Sequence, residues 1–303
     1  MTNLANLLPN LLKDPPPEFI FEISDGGIAF LRPGPATQPS FEPLDNDVIS
    51  VNPLRDNVLR PEALSAKVAA LVSAGGNRKR RKAVLILPDY CARIAVLEFD
   101  AFPAEPAEQL ALVRFRLKKS VPFDVESAVV SYYPQPVTGK NGAKRFEVVV
   151  VAAALEIVAR YEAPFRQAGL HTGVVTTSIL AALEMDRSEG ITLLAKLSGK
   201  VLTVAVMKSE RLKLVRCVEL AELSTEEIMA VLFPTVAYVE DELAARPDRV
   251  LLCCFGSVAD QFATQWTTEL GVPFEPVRSR FGTPGQYNAG LLGYLESPEA
   301  VRV

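Results

Sequence analysis

The amino-acid sequence predicts an α/β protein with two lobes. The chain of 303 residues, 49% of them hydrophobic, is long enough to form two cores. Each half begins with paired apolar strands, continues into further strands and ends with amphipathic helices. The strand at 146–154 is apolar without alternation, as expected for a strand that is buried on both faces. We therefore expect a duplicated architecture in which helices cover two sheets.

Local patterns predict the elements of the first half. Residues 1–17 form an apolar arm that ends in three prolines, which cannot continue a helix. Two strands flank the polar turn 24–27, which has the composition of a β-hairpin. Residues 61–76 are predicted to be a helix, because a proline begins the segment, apolar residues recur at helical spacing and two glycines end it. Within 88–150 the order strand, helix, strand, strand indicates a small inserted module.

The second half repeats this plan. Strands are predicted between 192 and 218, and a long helix follows, opened by Ser224 and Glu227 at capping-box spacing. An apolar strand ending before Gly256 comes next, and the stretch 286–296 has helical character. Because the two halves share almost no sequence identity, the duplication is inferred from architecture alone.

Composition argues against several functional classes. The net charge of −4 disfavours a nucleic-acid binder that relies on general positive charge. The chain has four cysteines without a Cys-x-x-Cys pair and a single histidine, so we expect no metal site. It shows neither a signal peptide nor an apolar run of about 18 residues, and we therefore expect a cytoplasmic protein.

One long stretch, residues 83–185, resembles PilM, the family of actin-like cytoplasmic components of type IV pilus assembly. The features that match are a strand ending in Leu87-Pro88, an alternating strand at 94–99, a helix at 105–119, Pro122-Phe123, the aromatic strand Ser131-Tyr132-Tyr133, a return strand at 146–154, a helix ending in Ala168-Gly169-Leu170 and a helix opened by Ser178. Outside this stretch the resemblance is fainter.

The resemblance implies an α/β, two-lobed actin-like (ribonuclease H-like) fold with a small SHS2-like α/β inserted subdomain. On this basis the chain divides into an N-terminal arm (1–17), a first lobe (18–180) with the insertion at about 88–150, a second lobe (181–285) and a C-terminal helix (286–303) that returns to the first lobe. The resemblance also implies a protein peripheral to the inner membrane. Such a protein would bind the cytoplasmic N-terminal peptide of a bitopic PilN-like protein and contact pilus motor or platform components.

PilM-like proteins also bind ATP with magnesium between the lobes, so three stretches can be compared with the requirements of such a site. The candidate residues are Glu22, Ser24, Asp25, Gly26 and Gly27 in the first loop, Ser198 and Gly199 in the second, and Gly256 in the third. In the first loop Glu22 keeps a carboxylate, but Ser24 stands where glycine is expected.

The other two loops depart further from the pattern. In the second loop Ala195 stands where the family has an acid, so the loop contains no acid. In the third loop bulky Phe255 precedes the single glycine. We therefore predict vestigial nucleotide loops, no catalytic residue and no resident cofactor. Two alternatives stay open: an active ATPase of the same fold that binds ATP and magnesium, and an actin-like domain of a type II secretion system.

A peptide partner is expected in a groove between the insertion and the first lobe's sheet, because an extended peptide can add to a strand edge there. Ile94, Val96 and Leu97 are predicted to lie near this groove. The stretch 6–9, Asn-Leu-Leu-Pro, resembles the motif that the membrane partner inserts into PilM, although an apolar arm that packs on its own lobe is the simpler interpretation. The basic run 78–82 indicates either a solvated loop or contact with an anionic membrane surface.

Overall fold

The computed structural model describes residues 17–34, 38–72, 81–138 and 144–297. The motif at 6–9 and residues 78–80 of the basic run lie outside these residues. None of the described helices is long and apolar enough to cross a membrane.

Strands and helices alternate along the described chain. The strands are β1 (Phe19–Ile23), β2 (Gly27–Leu31), β3 (Ser40–Pro43), β4 (Arg81–Leu87), β5 (Arg93–Phe99), β6 (Ala128–Thr138), β7 (Lys144–Ala154), β8 (Leu170–Thr177), β9 (Ile191–Ser198), β10 (Val201–Lys208), β11 (Arg211–Glu219), β12 (Arg249–Cys253) and β13 (Phe274–Pro276). The α-helices are α1 (Pro61–Val72), α2 (Pro106–Leu117), α3 (Leu155–Gln167), α4 (Ser178–Ala182), α5 (Thr225–Leu243), α6 (Ser257–Leu270) and α7 (Ala289–Glu296). Short 3-10 helices span Asp89–Cys91 and Leu183–Met185.

Two five-stranded sheets have the same topology. Their strand orders are β3-β2-β1-β4-β8 and β11-β10-β9-β12-β13. In both sheets the first three strands in sequence form an antiparallel meander, and the last two run parallel to the central strand. Each sheet has its own buried core, which contains Phe21 and Phe165 in the first lobe and Leu232 and Trp266 in the second. This shared order confirms the duplicated architecture that the sequence predicts.

The inserted module lies between β4 and α3 and forms a three-stranded sheet of order β5-β7-β6. Helix α2 covers one face of this sheet, where Val113 is completely buried. The opposite face contacts the second lobe. There the Gln135 side-chain amide donates to the carbonyl of Leu212 (3.1 Å) and accepts from its N–H (3.2 Å), and Lys213 pairs with Glu147 at 2.6 Å. The insertion therefore joins the two lobes.

The C-terminal helix α7 packs on the remaining face of the first lobe's sheet. Leu291 and Leu292 of α7 are buried there against Ile20 and Ile86. A Cβ atom on Gly293 would overlap the carbonyl of Ala181 in α4, so the two helices approach closely only because this residue is glycine.

Candidate functional site

The central strands β1 and β9 end at a cleft of about 440 Å³ between the lobes. Ser24, Asp25 and Gly26 line it from the first lobe, and Ser198 from the second. A Cβ atom on Gly199 would lie 3.1 Å from Oδ2 of Asp25, so the two turns face each other at short range. The fold therefore brings together the first two loops that the sequence analysis selected.

The registers of the two hairpins show which residues correspond. In the first hairpin Ile23 pairs with Ile28, and in the second Leu197 pairs with Leu202, so each pair encloses four residues. The residues that precede Ile23 and Leu197, which are Glu22 and Lys196, therefore occupy equivalent positions. The sequence comparison aligns the missing acid with Ala195, and the register corrects this alignment by one residue. At the position where the first lobe has a carboxylate, the second lobe has an ammonium group.

Glu22 is only 4% exposed, and both of its carboxylate oxygens have donors. The hydroxyl of Ser178 donates to Oε1 at 2.5 Å, and the N–H of Leu291 donates to Oε2 at 2.7 Å. Because burial penalises the charged form, the pKa of Glu22 is raised above its ordinary value. A carboxylate at the first turn of α7 complements the helix dipole, so Glu22 links β1 to the C-terminal helix.

Lys196 forms an ion pair between the lobes. Its Nζ lies 2.9 Å from Oδ2 of Asp89, and the two side chains are 4% and 2% exposed. Burial is the largest single influence and opposes the charged ammonium, but the Asp89 carboxylate, together with Cys254 and Glu22, outweighs it, so the pKa of Lys196 is raised. The second carboxylate oxygen of Asp89 accepts from the N–H of Ile179 at 2.6 Å. Sequence reasoning missed this pair, although a single lysine in the otherwise uncharged strand β9 was a visible signal.

The first turn is closed by its own hydrogen bonds. The N–H of Gly26 donates to Oδ1 of Asp25 (3.0 Å), and the N–H of Gly27 donates to Oγ of Ser24 (3.1 Å). The ring of Tyr287 covers the turn, because a Cβ atom on Gly26 would overlap it. Within the first turn, the N–H groups of Gly26 and Gly27 are therefore already occupied.

These residues do not fit a magnesium–nucleotide group. Bound phosphates need free backbone N–H groups, and Mg²⁺ needs carboxylate oxygens. In the first turn the N–H groups of Gly26 and Gly27 are hydrogen-bonded to side chains of the same turn. The carboxylate oxygens of Glu22 already accept two hydrogen bonds. At the equivalent position of the second lobe, Lys196 supplies a positive charge. A cluster of three or more His, Cys, Asp or Glu side chains suited to a metal ion does not occur in the described part of the chain.

The third predicted loop lies at the start of α6 and not on the cleft. Gly256 adopts a left-handed conformation with φ of 53° and precedes the first residue of that helix. Phe255 is 5% exposed and packs edge-on against Trp266, with ring centroids 6.0 Å apart. Phe255 is therefore part of the second lobe's core, and Gly256 does not line the cavity with the other two loops.

The residues predicted to contact a peptide partner lie on opposite faces of β5. Ile94 and Val96 are half-buried against the second lobe, whereas Leu97 packs in the insertion's own core. Successive side chains of a strand alternate between its faces, so these three residues cannot line one groove together. Their clustering in sequence suggested a shared surface that the strand geometry excludes.

A different groove, of about 500 Å³, lies where the first lobe meets the base of the insertion. We call it the insertion groove. Leu54, Asp56, Ala154, Ile157 and Arg160 are among its lining residues. Arg160 pairs with Asp56 across it at 3.2 Å.

Apolar side chains are unusually exposed around the insertion groove. Leu54 is 58% exposed, and Leu155, next to the groove residue Ala154, is 55% exposed. Val129 of the insertion, which pairs with Ala153 in the sheet, is 40% exposed. Together these side chains place exposed apolar surface between the first lobe and the insertion, although single exposed apolar residues are common.

No protein-family model matches the sequence, and no curated protein matches it significantly. Among solved structures, a chain of the "PilM-PilN type IV pilus biogenesis complex" matches with a TM-score of 0.70 and 19% sequence identity, over 95% of this chain and 99% of that one. A Bacteroides thetaiotaomicron protein described as having an actin-like ATPase fold matches with a TM-score of 0.52 and 12% identity, over 84% of this chain and 89% of that one. The fold is actin-like.

The prediction of a two-lobed actin-like fold that resembles PilM is thus confirmed. A further match, to the cytoplasmic domain of EpsL, an inner-membrane component of the type II secretion system of Vibrio cholerae, has a TM-score of 0.47 and 15% identity, over 94% of both chains. That score is too low for a conclusion about this protein. Since one fold serves many functions, the function has to be argued from the sites.

Proposed function

We propose that this protein is a non-catalytic adaptor of the inner-membrane platform that assembles a type IV pilus. It would act in the cytoplasm at the inner membrane and bind the cytoplasmic N-terminal peptide of a bitopic PilN-like protein. The proposal rests on one observation above all, the likeness over 95% of the chain to a protein in a PilM–PilN complex. The motor or other platform components would be further partners.

The cleft favours an adaptor over an ATPase. A working site requires carboxylates to hold Mg²⁺ and to position water, together with free N–H groups for the phosphates. Lys196 pairs with Asp89 at one of the two equivalent positions, and Glu22 caps α7 at the other. Both positions therefore stabilise the fold, which supports a protein that works through its binding surfaces.

The insertion groove is the proposed site for the partner peptide. The exposed side chains of Leu54 and Leu155 offer apolar contacts, and the Asp56–Arg160 pair supplies charged groups at the same groove. An extended peptide with apolar anchors would bury this surface and gain specificity from the charged pair. The proposed site lies beside the insertion, but it is lined mainly by the loop 54–56 and helix α3 and not by the first lobe's sheet or by β5.

The test uses fluorescence anisotropy to measure binding of a synthetic peptide that carries the cytoplasmic N-terminus of a PilN-like protein from the same organism. Leu54→Arg should weaken binding at least tenfold, about 1.4 kcal/mol or more, because it places a charge at an apolar residue that lines the groove. Leu223→Arg is the matched control, since Leu223 is 49% exposed on the second lobe, and it should leave affinity unchanged. Unchanged binding by Leu54→Arg would reject the groove. Failure to bind this peptide, together with binding of the corresponding peptide from a type II secretion component, would reject the pilus assignment.

A further inference from the structure

Two carboxylates of the first lobe and one ammonium of the second meet at the cleft. Asp89 lies 2.9 Å from Nζ of Lys196, and the Glu22 carboxylate also acts electrostatically on this ammonium. We propose that Lys196 supplies an internal cation where an actin-like protein would use a bound metal, and that its pair with Asp89 keeps the lobes closed without a ligand. This inference concerns the cleft and does not depend on the insertion groove.

The second lobe places no acid next to Lys196 in the row of side chains to which it belongs. Lys196 pairs in register with Cys253 on one side and Thr203 on the other, and Thr203 pairs with Cys217. Directly paired residues point to the same face of a sheet, so these four side chains form one row facing the first lobe. Because the row contains no carboxylate, the buried ammonium must be neutralised from the other lobe.

The first lobe holds Asp89 in a fixed position. Asp89 begins the 3-10 helix that follows β4, and its Oδ1 accepts the N–H of Ile179 at the start of α4. One carboxylate is thus tied to two elements of the first lobe and to Lys196 of the second. A small shift of one lobe would separate the two buried ions, which is strongly unfavourable. The ion pair therefore permits only a narrow range of lobe arrangements.

A second group of contacts joins the lobes through the insertion. Lys213 pairs with Glu147, and Gln135 makes two hydrogen bonds to the backbone of Leu212. These contacts would persist if the Asp89–Lys196 pair were removed. We therefore expect loss of the pair to loosen the cleft and not to separate the lobes.

Hydrogen–deuterium exchange of the full-length protein tests this directly. Lys196→Met and Asp89→Asn should each speed exchange at least tenfold in the two turns that face each other, 24–27 and 198–201. Small-angle X-ray scattering should show a larger radius of gyration. Arg81→Met is the matched control, because Arg81 pairs with Glu18 within the first lobe at 2.9 Å, and its side chain is 12% exposed. It should leave exchange in both turns unchanged.

The double variant Asp89→Asn/Lys196→Met keeps the test decisive if a single variant does not fold. It removes both charges of the ion pair together, so it is expected to fold, and both turns should still exchange faster than in the wild type. Wild-type exchange rates in the folded double variant would overturn the proposal. Slower exchange of the wild-type turns on addition of Mg-ATP would also overturn it, because a ligand would then be needed to close the cleft.

Discussion

The Glu22 carboxylate accepts a hydrogen bond of 2.7 Å from the backbone N–H of Leu291, a residue 269 positions later in the chain. Glu22 is the residue that the resemblance to PilM assigns to the first phosphate loop. Here it caps the C-terminal helix, and the hydroxyl of Ser178 occupies its other oxygen. A group expected at a ligand site has become a contact that holds the first lobe together.

This contact predicts a pH-dependent stability. Burial raises the pKa of Glu22 above its ordinary value of 4.5, so the folded state holds this proton more tightly than the unfolded state. The stabilisation by protonated Glu22 is complete below pH 4.5 and is lost as the pH rises through the folded-state pKa. The free energy of unfolding of the wild type should therefore fall relative to that of Glu22→Gln between pH 4.5 and 7, as measured by urea unfolding.

Glu18 in the first lobe provides the control for this pH dependence, because its hydrogen bond with Arg81 lowers its pKa. Stability from a lowered pKa is present above pH 4.5 and is lost only as the pH falls, so the wild type should not lose stability relative to Glu18→Gln between pH 4.5 and 7. A difference between wild type and Glu22→Gln that stays constant, or that grows in favour of the wild type with rising pH, would contradict the assignment.

The contact between Gly26 and Tyr287 predicts a large non-additive effect. Tyr287 stacks on Phe41 with ring centroids 4.9 Å apart and covers the first turn, where a Cβ atom on Gly26 would overlap its ring. Gly26→Ala should cost about 1–3 kcal/mol of stability through overpacking. In Gly26→Ala/Tyr287→Ala the methyl group no longer meets the ring, so adding Gly26→Ala to Tyr287→Ala should cost almost nothing. Urea unfolding of the four proteins gives the coupling energy, and additive effects would show that the ring does not press on the turn.

The sequence predicts those parts of the fold that local chemistry determines. The hairpin turns 24–27 and 198–201 were predictable, because a short polar stretch with Ser, Gly and Asp or Lys between two apolar strands is typical of a turn. The Asp89–Lys196 pair was not, since its members lie 107 positions apart and no local pattern couples them. The faces of β5 follow from strand alternation, which places Leu97 on the face opposite to Ile94 and Val96.

The close approach of α7 to α4 predicts an unusual response to a glycine substitution. Alanine is favoured over glycine within a helix by about 1 kcal/mol, so Gly293→Ala would stabilise an isolated α7. In the protein the added methyl group would overlap the carbonyl of Ala181. We expect a net loss of roughly 1–3 kcal/mol in urea unfolding. Gly285→Ala, whose new methyl group would have no atom nearer than 3.7 Å, should change stability little. A stabilising Gly293→Ala would show that α7 does not pack this closely.

The cleft predicts no stabilisation by nucleotide. A ligand that binds only the folded state and is present at one hundred times its dissociation constant stabilises a protein by about 2.7 kcal/mol. The N–H groups of Gly26 and Gly27 are already hydrogen-bonded, and Lys196 is paired with Asp89. These groups are therefore not free to bind a magnesium-bound phosphate. The thermal midpoint should therefore be the same with and without millimolar Mg-ATP, and with ADP as a second ligand. A rise that requires magnesium would favour the alternative of an active ATPase. A rise with ATP in the presence of a chelator would instead indicate that the cleft binds the nucleotide without its metal.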